Sequence, residues 1–349
     1  MMRAVLPTRD PSSPWPEVGD LADPLPGRGE VLVRVHAAGL NRADLWQLRG
    51  SYPPPPGESE VPGLECAGVI EALGPEVTFW QPGDRVMALL AGGGHAEKVV
   101  VPVGQLMAMP PNWSFAEAAA VPEVALTAWT NLVAEGGLEE GQSVVITGAN
   151  GGVGTFTVQL ARQFGARVIA AGRGLERLEP LRELGASELV VLAPDLPAAI
   201  RRANGGQGVD LALDLIGGEH LPRLLLALRS GGRLVLVGID AGQSVEVPLG
   251  VILSRRLSII GSVLRPRSRA EKAELVRCFM NFAQPRLEDG RLRPVVDRVL
   301  PFERIADAYR ALMAGGVAGK IIVEMSAAYD EPENTEHENG GSAEADPPH

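Results

Sequence analysis

The chain has 349 residues, with 43 acidic side chains against 32 basic ones and a net charge of −11, and this length allows two domains with hydrophobic cores of their own. The acidity argues against nucleic acid or an anionic membrane as a partner, since both select a basic face. Two cysteines, Cys66 and Cys278, give no disulfide framework, and the most apolar stretch, residues 116–133, is broken by Glu117, Pro122 and Glu123 before it reaches membrane-spanning length.

The opening residues lack the long apolar core of a signal peptide, so the protein is expected to be cytoplasmic and soluble. From there to about Ala120 the signals are short strands, at residues 31–36, 66–73, 85–90 and 97–101. Turn clusters such as Gly57, Pro62-Gly63 and the glycines at 92–94 separate them. Short strands without helices between them predict a small barrel-like β domain. The prolines at 53–56 stiffen a loop within it.

Residues 141–154 read Gly-Gln-Ser-Val-Val-Ile-Thr-Gly-Ala-Asn-Gly-Gly-Val-Gly. Ser143–Thr147 is a β-branched run that fits a strand buried on both faces, and Val153, Phe156, Leu160 and Phe164 follow at helical spacing. A phosphate can rest on a helix N-terminus only where the turn keeps side chains away from the backbone N–H groups. Gly148, Gly151, Gly152 and Gly154 meet that need, with Asn150 and Gly151 at the tip. The spacing is a variant of the dinucleotide fingerprint, and no Gly-Lys-Ser/Thr follows to make a P-loop.

The next strand, 167–171, ends at Gly172 and Arg173, where an enzyme using NAD would place a carboxylate for the ribose 2′-hydroxyl. Arg177 follows one turn later. A carboxylate repels a 2′-phosphate and a guanidinium grips it, so the expected cofactor is NADPH. The competing reading makes Arg173 and Arg177 solvated charges on a helix at 175–184, paired with Glu176 or Glu179.

Strands at 188–191, 209–214, 232–237 and 257–261 then alternate with helical segments, giving six parallel strands in doubly wound order. From Arg265 come helices at 269–282 and 302–314 and a strand at 321–325, a segment too small for its own core that is expected to pack back on the first domain. The organisation predicted is an α/β protein: residues 1–123, then an inserted nucleotide domain at 124–264, a return at 265–326, and a disordered acidic tail at 327–349.

The passages Ala37-Ala38-Gly39-Leu40-Asn41-Arg42-Ala43-Asp44, Pro62-Gly63-Leu64-Glu65-Cys66-Ala67-Gly68, Gly83-Asp84-Arg85-Val86, Thr127-Ala128-Trp129, residues 149–154, Asp214-Leu215-Ile216-Gly217-Gly218 and Gly319-Lys320 stand in order along the chain. In these it resembles the zinc-independent quinone oxidoreductases of the medium-chain dehydrogenase/reductase superfamily, of the zeta-crystallin and tumour-suppressor-inducible quinone reductase type. The resemblance implies a Rossmann doubly wound parallel sheet inserted in a GroES-like β-barrel catalytic domain, NADPH in the cleft between them, and a homodimer. The related alcohol dehydrogenases hold zinc through a cysteine near the position of Asn41 and a histidine near that of Leu64. Both ligands are missing here, so no metal is expected. His36, His95 and His220 are scattered singles and read as structural.

Without a Lewis acid, reduction of an electron-poor acceptor is favoured over alcohol oxidation. The expected reaction passes a hydride from NADPH to a quinone or another conjugated carbonyl, whose oxygen needs a donor. The resemblance offers Asn41 and Tyr52 as catalytic candidates; the alternatives are a loop-capping Asn and a packed Tyr. Cofactor contacts are expected at Asn41, Thr127, Asn150, Gly151, Gly152, Val153, Arg173, Arg177, Gly238, Ile239, Val263, Leu264 and Lys320, while Leu264 and Arg265 reach toward the substrate. The family often packs a tyrosine against adenine near the position of Leu192, which is aliphatic here. Two other readings stay open: an enoyl reductase, and a non-enzymatic protein that binds NADPH.

Overall fold

The computed structural model describes residues 1–7 and 13–325. The acidic tail expected from residue 327 lies outside the described residues. Ser143–Thr147 is buried along its whole length near the middle of a six-stranded parallel sheet. The order across that sheet is Glu188–Val191, Arg167–Gly172, Ser143–Thr147, Val209–Asp214, Leu228–Leu236, Ser258–Gly261. The chain steps outward on one side of Ser143–Thr147 and then crosses to the other, and such a reversal opens a crevice at the carboxyl ends of the strands. Both faces are covered, which is why the central strand carries Val144, Val145 and Ile146 at its middle. Val145 packs with Ile169, Ile200 and Leu224 on one face, and Val144 and Ile146 with Phe156 and Leu160 on the other.

The second sheet has seven strands and takes them from both ends of the chain. Its spine is the long strand Glu30–Gly39, which pairs antiparallel with Glu65–Leu73, Lys98–Pro102 and Lys320–Glu324. Because Lys320–Glu324 belongs to this sheet, the parallel sheet is an insertion within it, and the α/β architecture expected from the sequence is the one observed. Val33, Val35, Ile70 and Val86 fill the core with Phe302 and Tyr309.

The segment after Arg265 does more than return to the first domain. Helix Arg269–Glu288 lies at the junction of the two domains. Phe279 meets Trp129 and Phe156, and Phe282 stacks on Phe164 at 4.7 Å. Phe279 is fully buried, so truncating it to alanine would cost about 3–5 kcal/mol. The helix also runs past the expected end at 282, through Pro285, because Ala283 and Leu287 are buried and hold it in place. Conversely, the single helix expected at 175–184 is two short ones, Leu175–Leu178 and Leu181–Leu184. Pro180 between them has no N–H to continue the ladder. Helix Arg42–Leu48 was not read from the sequence, although Asn41 and Asp44 stand at the spacing of a helix start.

Candidate active site

A cleft of about 660 Å3 lies between the strand ends of the parallel sheet and the antiparallel domain. Asn41, Tyr52, Thr127, Asn150, Gly151, Gly152, Val153, Arg173, Arg177, Gly238, Val263, Leu264 and Lys320 all line it. Ile239 does not, although Gly238 and Asp240 on either side do. Residues brought from opposite ends of the chain therefore share one surface. Arg42 and Asp240 form an ion pair of 3.0 Å between the two domains.

The glycine turn takes the left-handed conformation at Gly148, with φ +62, which side chains other than glycine rarely adopt. Helix Gly152–Gln163 begins after Gly151 without a side-chain cap, so its first N–H groups keep their capacity for an anion. Gly152 has a reason beside the one expected. A β-carbon there would stand 2.6 Å from Cδ of Lys320, so it is the neighbouring domain that excludes a side chain. The N–H of Gly319 also donates to the carbonyl of Asn150 at 3.0 Å. The turn is thus docked on the segment that carries Lys320.

Arg173 and Arg177 are exposed at the other end of the cleft, and neither makes an ion pair or hydrogen bond among the described residues. Glu179, one of the two partners considered for them, is engaged by Arg182 at 3.1 Å. The guanidinium of Arg177 lies beside Gly316, whose β-carbon position is 3.6 Å from it.

Beneath the cleft lies a buried ionic network. Glu65 is completely buried and Lys320 is 4% exposed, and they pair at 2.5 Å. Lys320 Nζ also donates to the carbonyl of Leu40 and to Oδ1 of Asn41, each at 2.7 Å, while Asn41 Nδ2 donates to Glu65 Oε1 at 2.9 Å. Glu65 Oε2 accepts the backbone N–H of Glu123 at 2.9 Å. A buried carboxylate is tolerated when it is paired and its lone pairs are filled, as here. Asn41 is consequently a bridge within the protein, with both ends of its amide occupied. Asp44, also fully buried, accepts the N–H groups of Asn41 at 2.7 Å and Gly63 at 3.2 Å. Burial raises its carboxyl pKa, against the pull of His95, those N–H groups and Lys320.

Tyr52, Glu123 and Arg265 line the cleft together. Arg265 is 3% exposed and held by neutral acceptors: the carbonyls of Ala91 at 2.7 Å and Tyr52 at 3.0 Å, and Oε1 of Gln47 at 2.7 Å. Its guanidinium stands 5.1 Å from the centre of the Tyr52 ring. The Tyr52 hydroxyl has no hydrogen-bond partner among the described residues. Burial raises its pKa first, the charge of Glu123 adds to that, and Arg265 opposes it. Burial and then the charge of Glu65 push the Glu123 carboxyl up to about 8. Thr127 donates to it over a long 3.4 Å and gives its own carbonyl to Asn131 Nδ2 at 2.7 Å.

Glu123 entered the sequence reading only as a break in an apolar stretch. Its position at the first turn of helix Pro122–Trp129 gave no sign that it would line the cleft. Of the histidines, His95 is buried between the Tyr309 hydroxyl at 2.6 Å and the Gly39 carbonyl at 3.2 Å, and His36 stacks on Phe115. His220 lines the cleft. Leu64 is buried, and no group of three His, Cys, Asp or Glu side chains among the described residues is arranged to hold a metal. No helix among them is long and apolar enough to cross a membrane.

Two family models match the two halves of this architecture. Residues 27–111 match the alcohol dehydrogenase GroES-like domain and residues 152–280 the zinc-binding dehydrogenase domain. A quinone oxidoreductase of Lama guanicoe is 31% identical over 87% of this chain and 91% of its own length. The chain belongs to the medium-chain dehydrogenase/reductase family. This family member is therefore an oxidoreductase. Among solved structures, the quinone oxidoreductase of Thermus thermophilus, described with its NADPH complex, is 37% identical with a TM-score of 0.79, covering 93% of this chain and 100% of that one. The CurK enoyl reductase is 27% identical with a TM-score of 0.77, covering 89% and 95%.

Proposed function

We propose that this oxidoreductase uses NADPH to reduce a quinone or a related conjugated carbonyl without a catalytic metal. The observation that carries the reading is the pair of unpartnered guanidiniums, Arg173 and Arg177, on the same cleft as the uncapped glycine turn and Tyr52. The residues present suit such a cofactor: the helix N-terminus fits a pyrophosphate, and the two arginines fit a 2′-phosphate with its charge and bidentate geometry. When bound, the dihydronicotinamide supplies the hydride. Asn150, Gly151, Gly152 and Val153 hold the pyrophosphate in this reading. Thr127, Gly238, Val263 and Leu264 line the remaining path, and Leu64 contributes an apolar wall where the zinc enzymes have a ligand.

The donor to the acceptor oxygen is assigned to Tyr52. Its hydroxyl is free and faces the cleft, whereas the amide of Asn41 is spent between Lys320 and Glu65. Lys320 acts on the cofactor only indirectly, by docking against Gly152. Domain boundaries at 123/124 and 264/265, a cytoplasmic setting and a homodimer belong to the same proposal. The dimer is supported by the edge strand Ser258–Gly261, next to which Leu249, Leu253, Ile259 and Val263 are exposed. Introducing a charge at Leu253 should give monomers by sedimentation.

Reduction of an enoyl substrate is the second reading, favoured by the likeness to CurK and by the buried cation Arg265 beside Tyr52. The test is NADPH oxidation with phenanthrenequinone and with a simple enone, followed by product analysis. Consumption of NADPH with neither class of acceptor would leave the protein as a binder of the cofactor.

A further inference from the structure

We propose that Glu123 is the proton donor of this cleft, giving its carboxyl proton to the acceptor that has received the hydride. The proposal rests on the reductase reading above, and it follows from counting donors around the buried carboxyls. Lys320 has three N–H bonds to give, and they go to Leu40, Asn41 and Glu65. Both oxygens of Glu65 are filled, the second by the backbone N–H of Glu123 itself. Asp44 takes the N–H groups of Asn41 and Gly63. The side chain of Glu123 is left with the Thr127 hydroxyl at 3.4 Å and no other donor among the described residues. An ionised carboxylate there would sit beside Glu65 with the long Thr127 contact as its one hydrogen bond among the described residues, so the group keeps its proton.

The surrounding charges agree with that count. Glu123 is faced by Glu65 and Lys320 from two strands of the antiparallel sheet, by Asp44 from helix Arg42–Leu48, and by Lys272 from helix Arg269–Glu288. Tyr52 and Arg265 adjoin it from the loops that frame the cleft. Burial and Glu65 outweigh the two lysines, leaving the carboxyl neutral up to about pH 8.

The chemistry balances without another reactant. The acceptor takes two electrons and a proton as the hydride, the dihydronicotinamide being oxidised, and carries one negative charge as an enolate or phenolate. The O–H bond of Glu123 then breaks and its proton bonds to that anion, directly or through the Tyr52 hydroxyl. The carboxylate left behind recovers a proton from solvent at the cleft mouth. Because the group has to be an acid, the step is available below about pH 8 and lost above it.

Two measurements test this on the full-length protein. Infrared difference titration of the cofactor-free enzyme, wild type against Glu123→Gln, should show a protonated carboxyl band that disappears only above neutral pH and is absent from the variant. Single-turnover reduction of phenanthrenequinone and of an enone should slow about a hundredfold in Glu123→Gln below pH 8, lose its dependence on pH, and recover in part in Glu123→Asp. Circular dichroism of both variants checks the fold, to which both still offer the backbone N–H that Glu65 accepts. An ionised Glu123 at neutral pH, or a variant with the wild-type rate and pH profile, overturns the proposal while leaving the reductase reading intact. A titrating carboxyl in a protein that transfers hydride to neither probe would instead refute the reductase reading, and the proton-donor role with it.

Discussion

Lys320 and Glu65 lie 2.5 Å apart in the floor of the cleft, the lysine on the last strand described and the glutamate on a strand near the start. This pair ties the two ends of the catalytic domain together directly beneath the glycine turn of the inserted one. Removing the lysine should therefore act on the fold before it acts on chemistry. Lys320→Met leaves a buried, uncompensated carboxylate and should cost about 3–5 kcal/mol in urea denaturation. Adding Glu65→Gln to that variant should restore most of the loss. A loss below about 1 kcal/mol for Lys320→Met would mean that the pair is not ionised.

Replacing Arg173 and Arg177 together by alanine should weaken NADPH by tenfold or more, since on the proposed reading each removes a charge-assisted bond to the 2′-phosphate. NADH, which lacks the phosphate, should bind as before. Fluorescence titration of the two cofactors reads the difference, and an equal loss for both would remove the arginines from the cofactor site. Stability should hardly change, because neither side chain has a partner to lose.

Asn41 and Tyr52 should separate cleanly in a paired experiment. Asn41→Ala breaks two half-buried hydrogen bonds to charged groups and should lower stability by about 2–4 kcal/mol. Tyr52→Phe should leave the melting temperature nearly unchanged and lower the hydride-transfer rate roughly tenfold to a hundredfold, as the loss of a donor to a developing oxyanion does. The reverse pattern would return the donor role to Asn41.

Stability should also carry the mark of Glu123. Its carboxyl is raised from the ordinary 4.5 to about 8 in the fold, so its neutral form favours folding fully below about pH 4.5. That contribution is lost as pH rises through about 8. Glu123→Gln has no such proton to lose. The melting temperature of the variant relative to wild type should therefore rise between pH 5 and pH 9, and a constant difference across that range would mean that the carboxyl titrates as an ordinary one.

The sequence by itself determined the class of fold and the glycine turn at the strand ends. Ser143–Thr147 and the glycines after it are local signals: the β-branched run, the turn and the helix are neighbours in the chain, so their geometry follows from residue types a few positions apart. The place of Arg173 and Arg177 on the cleft was legible for the same reason, because they follow the next strand at a fixed interval. What decided the other end was packing between segments far apart in the chain. Glu65, Asn41, Lys320 and Glu123 come from four different elements, and no spacing rule announces that one amine will serve one carboxylate and leave another with its proton. Gly152 makes the same point in a single residue. Its place in the fingerprint could be read along the chain, but the atom that forbids a side chain there belongs to Lys320, and only the tertiary structure brings the two within contact. Burial and the count of donors are properties of the assembled site, and they show the amide of Asn41 engaged within the protein while Tyr52 and Glu123 line the same cleft.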